Sequence, residues 1–136
     1  MIKEDIRLAL DNIKFSSAPY SIFNVSAVLT AKNGKKYTGV NIESASFTPT
    51  ICAERVAFFK AVSEGVKEFT RIVIVGGLDG VVEELTSPCG VCRQVMMDYC
   101  DPKTFEIVMA IDENNYQIFT LEELLPKGFG PKNLEG

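Results

Sequence analysis

Cys52, Glu54 and Arg55 stand in the segment Cys52-Ala53-Glu54-Arg55, and Cys89 and Cys92 in Ser87-Pro88-Cys89-Gly90-Val91-Cys92-Arg93. Three thiolates fill three of the four positions around a tetrahedral zinc ion and leave one open for water. A carboxylate two residues beyond the first thiolate is suited to carry that water's protons. The chain contains no histidine, so any zinc site must use thiolates or carboxylates and any general base must be something else. Together these residues describe a catalytic metal site with Glu54 as its acid and base.

Other readings exist for each part. Cysteines pack as small apolar side chains, and Cys89-Gly90-Val91-Cys92 by itself also fits a redox pair. Glu54 by itself fits the first turn of a helix, where the dipole favours acids. The two motifs taken together favour the metal. A purely structural zinc wants a fourth protein ligand, and Cys100 is the remaining thiol. It lies about 16 Å along a continuous helix from Cys89 at 1.5 Å per residue, so Cys100 is expected to be an ordinary core thiol.

Three thiolates around zinc carry a net charge of −1, which makes a bound water harder to ionise. Both motifs fall at expected helix starts, and each N-terminus carries roughly half a positive charge. Arg55 can hydrogen-bond a thiolate and draw off more of the excess.

The elements that must position these groups follow from apolar spacing. Residues 3–15, with Ile6, Leu10 and Ile13, suit an amphipathic helix that Pro19-Tyr20-Ser21 ends. Strand formers occupy 23–31 and 36–42, and Asn33-Gly34 between them signals a hairpin. Thr48-Pro49-Thr50 precedes a helix over 52–64 that is apolar on nearly every side and stops at Gly65. Residues 71–75 form a β-branched run, the pattern of a strand buried on both faces, ended by Gly76-Gly77. Pro88 suits the first turn of a helix running to Tyr99, which Asp101-Pro102 stops. A buried strand over 105–111, a short strand over 116–119 and a short helix over 121–125 follow. The expected fold is α/β, a three-layer α/β/α sandwich around a mixed sheet. Residues 1–136 are expected to form one domain, with 126–136 an irregular tail.

Composition narrows the function. The net charge of −4 argues against nucleic acid as a partner, because gripping phosphates needs a basic face. Lys35-Lys36 is the one notable basic pair and is expected to decorate a turn. No signal peptide or membrane span is visible in the sequence, so the expected compartment is the cytoplasm, where thiols stay reduced.

Cys52-Ala53-Glu54 with Pro88-Cys89-Gly90-Val91-Cys92 resembles the zinc-dependent cytidine deaminase superfamily, whose Glu is acid and base but not a ligand. Cysteine as the first ligand makes the chain similar to the small homotetrameric cytidine deaminases. The resemblance extends through Pro19-Tyr20-Ser21, Gly39 to Ser46, Ile51 to Gly65, Ser87 to Val95, and Glu123-Leu124-Leu125-Pro126 leading to Phe129-Gly130-Pro131. It implies one zinc ion per subunit, a nucleoside substrate and a homotetramer with sites shared between subunits.

Carried onto this chain, the resemblance implies that Asn41 and Glu43 hold the ribose. Two residues apart on an extended segment, they point to one side and can donate to and accept from hydroxyls; the alternative is a pair of polar residues at a strand end. Phe23 would pack on the pyrimidine, or else serve as a core strand residue. The backbone of Ala53 would bind the base carbonyl, and the Ser87 carbonyl would accept from the departing amino group. Phe129 would reach a neighbouring subunit's site, or else pack on its own. Ile22, Asn24 and Ser26 stand where the family usually has a polar residue, Pro and Gly, and Phe47 replaces a common Tyr; these departures bear on the pocket rim.

The expected activity is hydrolytic deamination of cytidine and deoxycytidine to uridine and deoxyuridine, releasing ammonia. One alternative is a deaminase of a cytosine-containing antibiotic such as blasticidin S; Asn41 and Glu43 favour the plain nucleoside. The other is a non-catalytic zinc-stabilised binding module, against which Glu54 beside an open position argues.

Overall fold

The computed structural model describes residues 1–135; Gly136, the last residue of the expected tail, lies outside the described residues. The N-terminal segment buries one stripe, with Ile6 and Ala9 fully covered, and forms helix α1, Ile2–Asn12, extended by a 3-10 turn over Ile13–Phe15. Strands β1, Phe23–Ala31, and β2, Lys36–Val40, follow as the expected hairpin. Gly34 turns it at a φ of 91°, a conformation open to glycine at little cost.

Lys36 does more than decorate that turn. Its ammonium donates to the buried Asp5 carboxylate at 2.8 Å and to the Thr30 hydroxyl at 3.0 Å, tying α1 to the hairpin. Lys35 pairs instead with Glu64 at 3.0 Å.

The central elements are α2, Ala53–Ser63, and β3, Phe69–Leu78. They are followed by α3, Gly90–Tyr99, β4, Glu106–Asp112, β5, Asn115–Thr120, and α4, Leu121–Leu124. The strands order as β2-β1-β3-β4-β5. Only the β3–β4 pair is parallel among the described strands, so the sheet is mixed. One face, through Val28, Val73, Val75 and Val108, packs on α1. The other, through Ala27, Leu29, Ile72, Ile74 and Ile107, packs on residues of α2 and α3. This is the expected three-layer α/β/α sandwich, and its two cores alternate along each strand because side chains alternate across a sheet.

Three expected boundaries move. Strand β3 continues through Gly76-Gly77 to Leu78, paired with Val25, Asn24 and Phe23 of β1. The glycines there make room: a Cβ on Gly77 would stand 1.9 Å from the Val81 carbonyl oxygen, where the following loop folds back. Strand β2 ends at Val40 because the chain then leaves the sheet, and Ile42 bridges Ser17 and Ile51 instead. Pro88 lies before α3, since Cys89 is its N-cap. Ser26 is fully buried on the sheet face shared with Val28, so it lines no rim.

Candidate active site

Two helix starts meet at the metal-ligating residues. Cys52 is the N-cap of α2 and Cys89 the N-cap of α3, both in extended backbone. The Cys89 sulfur accepts from the backbone N–H of Cys92 at 3.5 Å, the capping role usually played by an oxygen. α2 and α3 pack side by side in the same core, which brings Cys52 against the Cys89–Cys92 turn.

The three sulfurs lie within 4.8 Å of one another. Cys52 is 3.6 Å from Cys89, and Cys89 is 3.5 Å from Cys92. Zinc–sulfur bonds of about 2.3 Å in a tetrahedron require sulfur–sulfur edges of about 3.8 Å. The cluster is thus close to the size that zinc needs, and all four cysteines are free thiols. Its electrostatics point the same way. Hydrogen bonds from Cys92 and then Arg55 hold the Cys52 thiol down, to about 5, against the opposing effect of burial. Cys92 is pushed far up, first by its hydrogen bond to Cys52 and then by burial.

Arg55 donates from Nη2 to the Cys52 sulfur at 3.5 Å. Glu54, in the first turn of α2, is 4 % exposed, and its Oε1 has no hydrogen-bond partner among the described residues. Burial, helped by the Cys52 thiolate, pushes its carboxyl up to about 7. An unpartnered carboxylate oxygen in a protein interior is costly to maintain, and its place beside the thiol cluster makes Glu54 the candidate acid–base group. Ala53, at the first position of α2, is fully buried, and its N–H is among those a helix start leaves free.

The second group of site residues is built differently. Ile42 sits in a two-way backbone bridge with Ser17 and Ile51, which sets Asn41 and Glu43 on one side of an extended segment. Glu43 Oε1 accepts from the backbone N–H groups of Tyr20 and Ser21, at 3.0 and 3.1 Å, and Oε2 from the Ser21 hydroxyl. Those bonds to Ser21, then to Tyr20, hold its carboxyl below the usual range. Asn41 donates to the Phe23 carbonyl at 2.8 Å and accepts from the Val25 N–H at 2.9 Å. Phe23 itself is 37 % exposed at the start of β1, beside a cavity of about 430 Å³ walled also by Leu78, Glu84 and Thr86.

Ser87 is exposed, and Phe129 belongs to neither group. The Phe129 ring is 57 % exposed while its carbonyl accepts from Gln94 of α3 at 2.7 Å. Cys100 is far from the thiol cluster, beyond the C-terminal end of α3, where burial pushes its thiol up. It lines a cavity of about 680 Å³ that contains none of the expected site residues.

Two positioning residues escape a sequence reading. Arg93 donates to the Pro88 carbonyl at 2.8 Å, the Leu124 carbonyl at 2.6 Å and the Ser87 hydroxyl at 2.5 Å, pinning the loop before Cys89 to α4. Nothing in sequence separates it from a surface arginine. Gly39 lets β2 approach α2: a Cβ there would lie 2.2 Å from the Ala53 carbonyl oxygen. A glycine inside a strand, here between Thr38 and Val40, is the signal that such close approach leaves.

Residues 2–109 match the family model described as the cytidine and deoxycytidylate deaminase zinc-binding region. The chain is 40 % identical over 116 residues to a cytidine deaminase of Sporosarcina psychrophila, covering 85 % of this chain and 82 % of that one. It superposes on the crystal structure of the Burkholderia pseudomallei cytidine deaminase with a TM-score of 0.83, at 36 % identity over 93 % of this chain and 97 % of the other. A blasticidin-S deaminase of Bacillus cereus is 36 % identical over 110 residues, covering 76 % of this chain and 74 % of that one. The match spans both cysteine-bearing helix starts, and the chain belongs to the cytidine and deoxycytidylate deaminase zinc-binding family.

Proposed function

We propose that the protein hydrolyses cytidine and deoxycytidine to uridine and deoxyuridine with release of ammonia, a salvage reaction of pyrimidine nucleosides. The observation that carries this reading is the buried, unpartnered Oε1 of Glu54 two residues from Cys52. Cys52, Cys89 and Cys92 hold one zinc ion per subunit, and what that ion supplies is activation of a water at neutral pH.

The chain's own residues do the rest. Glu54 takes a proton from the attacking water and passes it to N3 of the ring, which makes C4 electrophilic. As the hydroxide left behind adds to C4, Glu54 takes the proton of the new C4 hydroxyl and hands it to the amine, so the C–N bond breaks, ammonia leaves and C4 becomes a carbonyl; the one carboxylate serves as base and acid in turn. Its raised proton affinity suits both roles, since a catalytic group works best when it titrates near the operating pH. The Ala53 N–H binds the base carbonyl and the Ser87 carbonyl accepts from the amino group that leaves. Phe23 packs on the pyrimidine, and Asn41 with Glu43 holds the sugar. Arg55 draws charge from the Cys52 sulfur and so tunes the site.

The chain acts as one deaminase unit over residues 1–136. Its exposed Phe47 and Phe129 rings support a homotetramer in which Phe129 reaches a neighbouring subunit's site. Among the described residues no helix is long and apolar enough to cross a membrane. Dependence on three reduced thiols favours the cytoplasm.

The deciding experiment follows the absorbance change of cytidine and deoxycytidine, with zinc loaded and after its removal. Turnover of both, lost with zinc and restored by it, is expected. No turnover of either by the loaded protein overturns the reading, and turnover of blasticidin S alone replaces it with the antibiotic one. Light scattering tests the tetramer.

A further inference from the structure

Asn41 has an amide with four hydrogen-bonding places: two lone pairs on oxygen and two hydrogens on nitrogen. Three are already taken. Oδ1 accepts from the Ser16 hydroxyl and from the Val25 N–H, the latter at 2.9 Å, and Nδ2 gives one hydrogen to the Phe23 carbonyl at 2.8 Å. One N–H is left to donate. The amide therefore cannot flip, because a reversed group would set N–H against N–H at Val25.

The Ser16 hydroxyl is itself oriented. Its oxygen accepts from the Asn24 side-chain amide at 3.0 Å, so its hydrogen is directed to Asn41. Asn24, Ser16 and Asn41 form a relay in which each member donates to the next, and such chains polarise their members cooperatively. Ser16 and Asn24 come from separate segments, the turn after α1 and strand β1, and both are half-buried.

We propose that Ser16 and Asn24 are positioning residues for sugar recognition, holding Asn41 so that its one spare N–H meets a hydroxyl of the substrate. This rests on the reading of Asn41 as a sugar-binding residue. Glu43 complements it: two bonds occupy Oε1 and one occupies Oε2, leaving Oε2 room to accept. One hydroxyl can then accept from Asn41 and donate to Glu43.

The test is steady-state kinetics on cytidine, and on analogues lacking one sugar hydroxyl each, for the zinc-loaded wild type and for Asn41→Ala, Ser16→Ala, Ser16→Thr and Asn24→Ala. Losing the orienting bond is expected to raise KM for cytidine about fivefold in Ser16→Ala and Asn24→Ala, the size of one ordinary hydrogen bond. Their kcat stays within about twofold of wild type, the signature of lost uniform binding, and Ser16→Thr, which keeps the hydroxyl, restores KM. The penalty vanishes on the analogue that lacks the hydroxyl Asn41 meets. An unchanged KM in Ser16→Ala, with a raised KM in Asn41→Ala, overturns the relay alone. An equal penalty on every analogue also overturns it, by showing that the serine serves only the fold. An unchanged KM in Asn41→Ala overturns the sugar-binding reading and the relay with it.

Discussion

The thiol cluster and the Asn41–Glu43 edge are held in place by different forces. Cys52 and Cys89 cap helices whose inner faces are core: Ala57, Phe58, Cys92 and Met96 are all at most 1 % exposed. Their positions follow from close packing, which resists displacement because every shift opens a void or a clash. The Asn41–Glu43 edge has no such backing. It is a half-exposed extended segment facing the turn at Ser16–Ser21, held by backbone bridges to Ser17 and Ile51 and by side-chain hydrogen bonds to backbone groups. On the proposed roles, bond making and breaking is mounted on the close-packed core and recognition on a hydrogen-bonded rim. Changes in the first region should move kcat, and changes in the second KM.

The sharpest break removes a ligand. Cys89→Ala is expected to lose zinc and with it all measurable turnover, and also to lower the melting temperature; retention of stoichiometric zinc in a metal assay would count against its role. Next, Glu54→Gln should keep zinc and bind cytidine normally while kcat falls about 10²–10⁴-fold, the usual contribution of a general acid–base group. A fall in affinity instead of kcat would blur the contrast between the regions.

Gly39 tests their junction, since it lies where β2 meets the start of α2. Gly39→Ala is expected to cost about 1–3 kcal/mol of stability, the usual penalty for overpacking, and to disturb kcat and KM together. Denaturant melts with kinetics on the same samples would check it. The smallest effect is a gain. Ile22 is β-branched yet sits at a φ of 60°, half-exposed on the rim. Asn tolerates that conformation, and Ile22→Asn should stabilise by about 1 kcal/mol while kcat holds. A melt that shows no rise would mean that the backbone bonds of Ile22 to Ala18 and Asp79 already absorb the strain.

Much of the fold was legible because its signals are local. The run from Phe23 to Ala31 is a strand to the residue, and the hairpin turns at Asn33-Gly34 with Gly34 alone of the two at positive φ. The helix at Cys52 is apolar on nearly every side and reads as buried, yet only one of its faces is: Phe59 stays 43 % exposed, because the helix covers the sheet from outside. Boundaries failed where a distant segment decided them. Gly76-Gly77 has the composition of a strand end, but the neighbouring strand pairs through it and the loop at Val81 fills the space the glycines leave. Lys36 has the composition of a solvated turn, and only the packing of α1 across the sheet supplies Asp5 as its partner.

The same division runs through the site. Sequence alone determined the ligand chemistry: three cysteines with no histidine, a carboxylate one short step from the first, and Cys89 and Cys92 one helical turn apart. Each is a matter of residue type or of spacing within one element. Tertiary structure decided the rest. It brought Cys52 to the Cys89–Cys92 turn and buried Glu54 with its Oε1 unpartnered. It also turned Ser16, Asn24 and Arg93 from unremarkable polar residues into supports. The physical reason is that burial and hydrogen-bond partners are properties of what packs against a residue, and the deciding partners are distant in sequence: 37 residues from Cys52 to Cys89, 25 from Ser16 to Asn41 and 31 from Arg93 to Leu124.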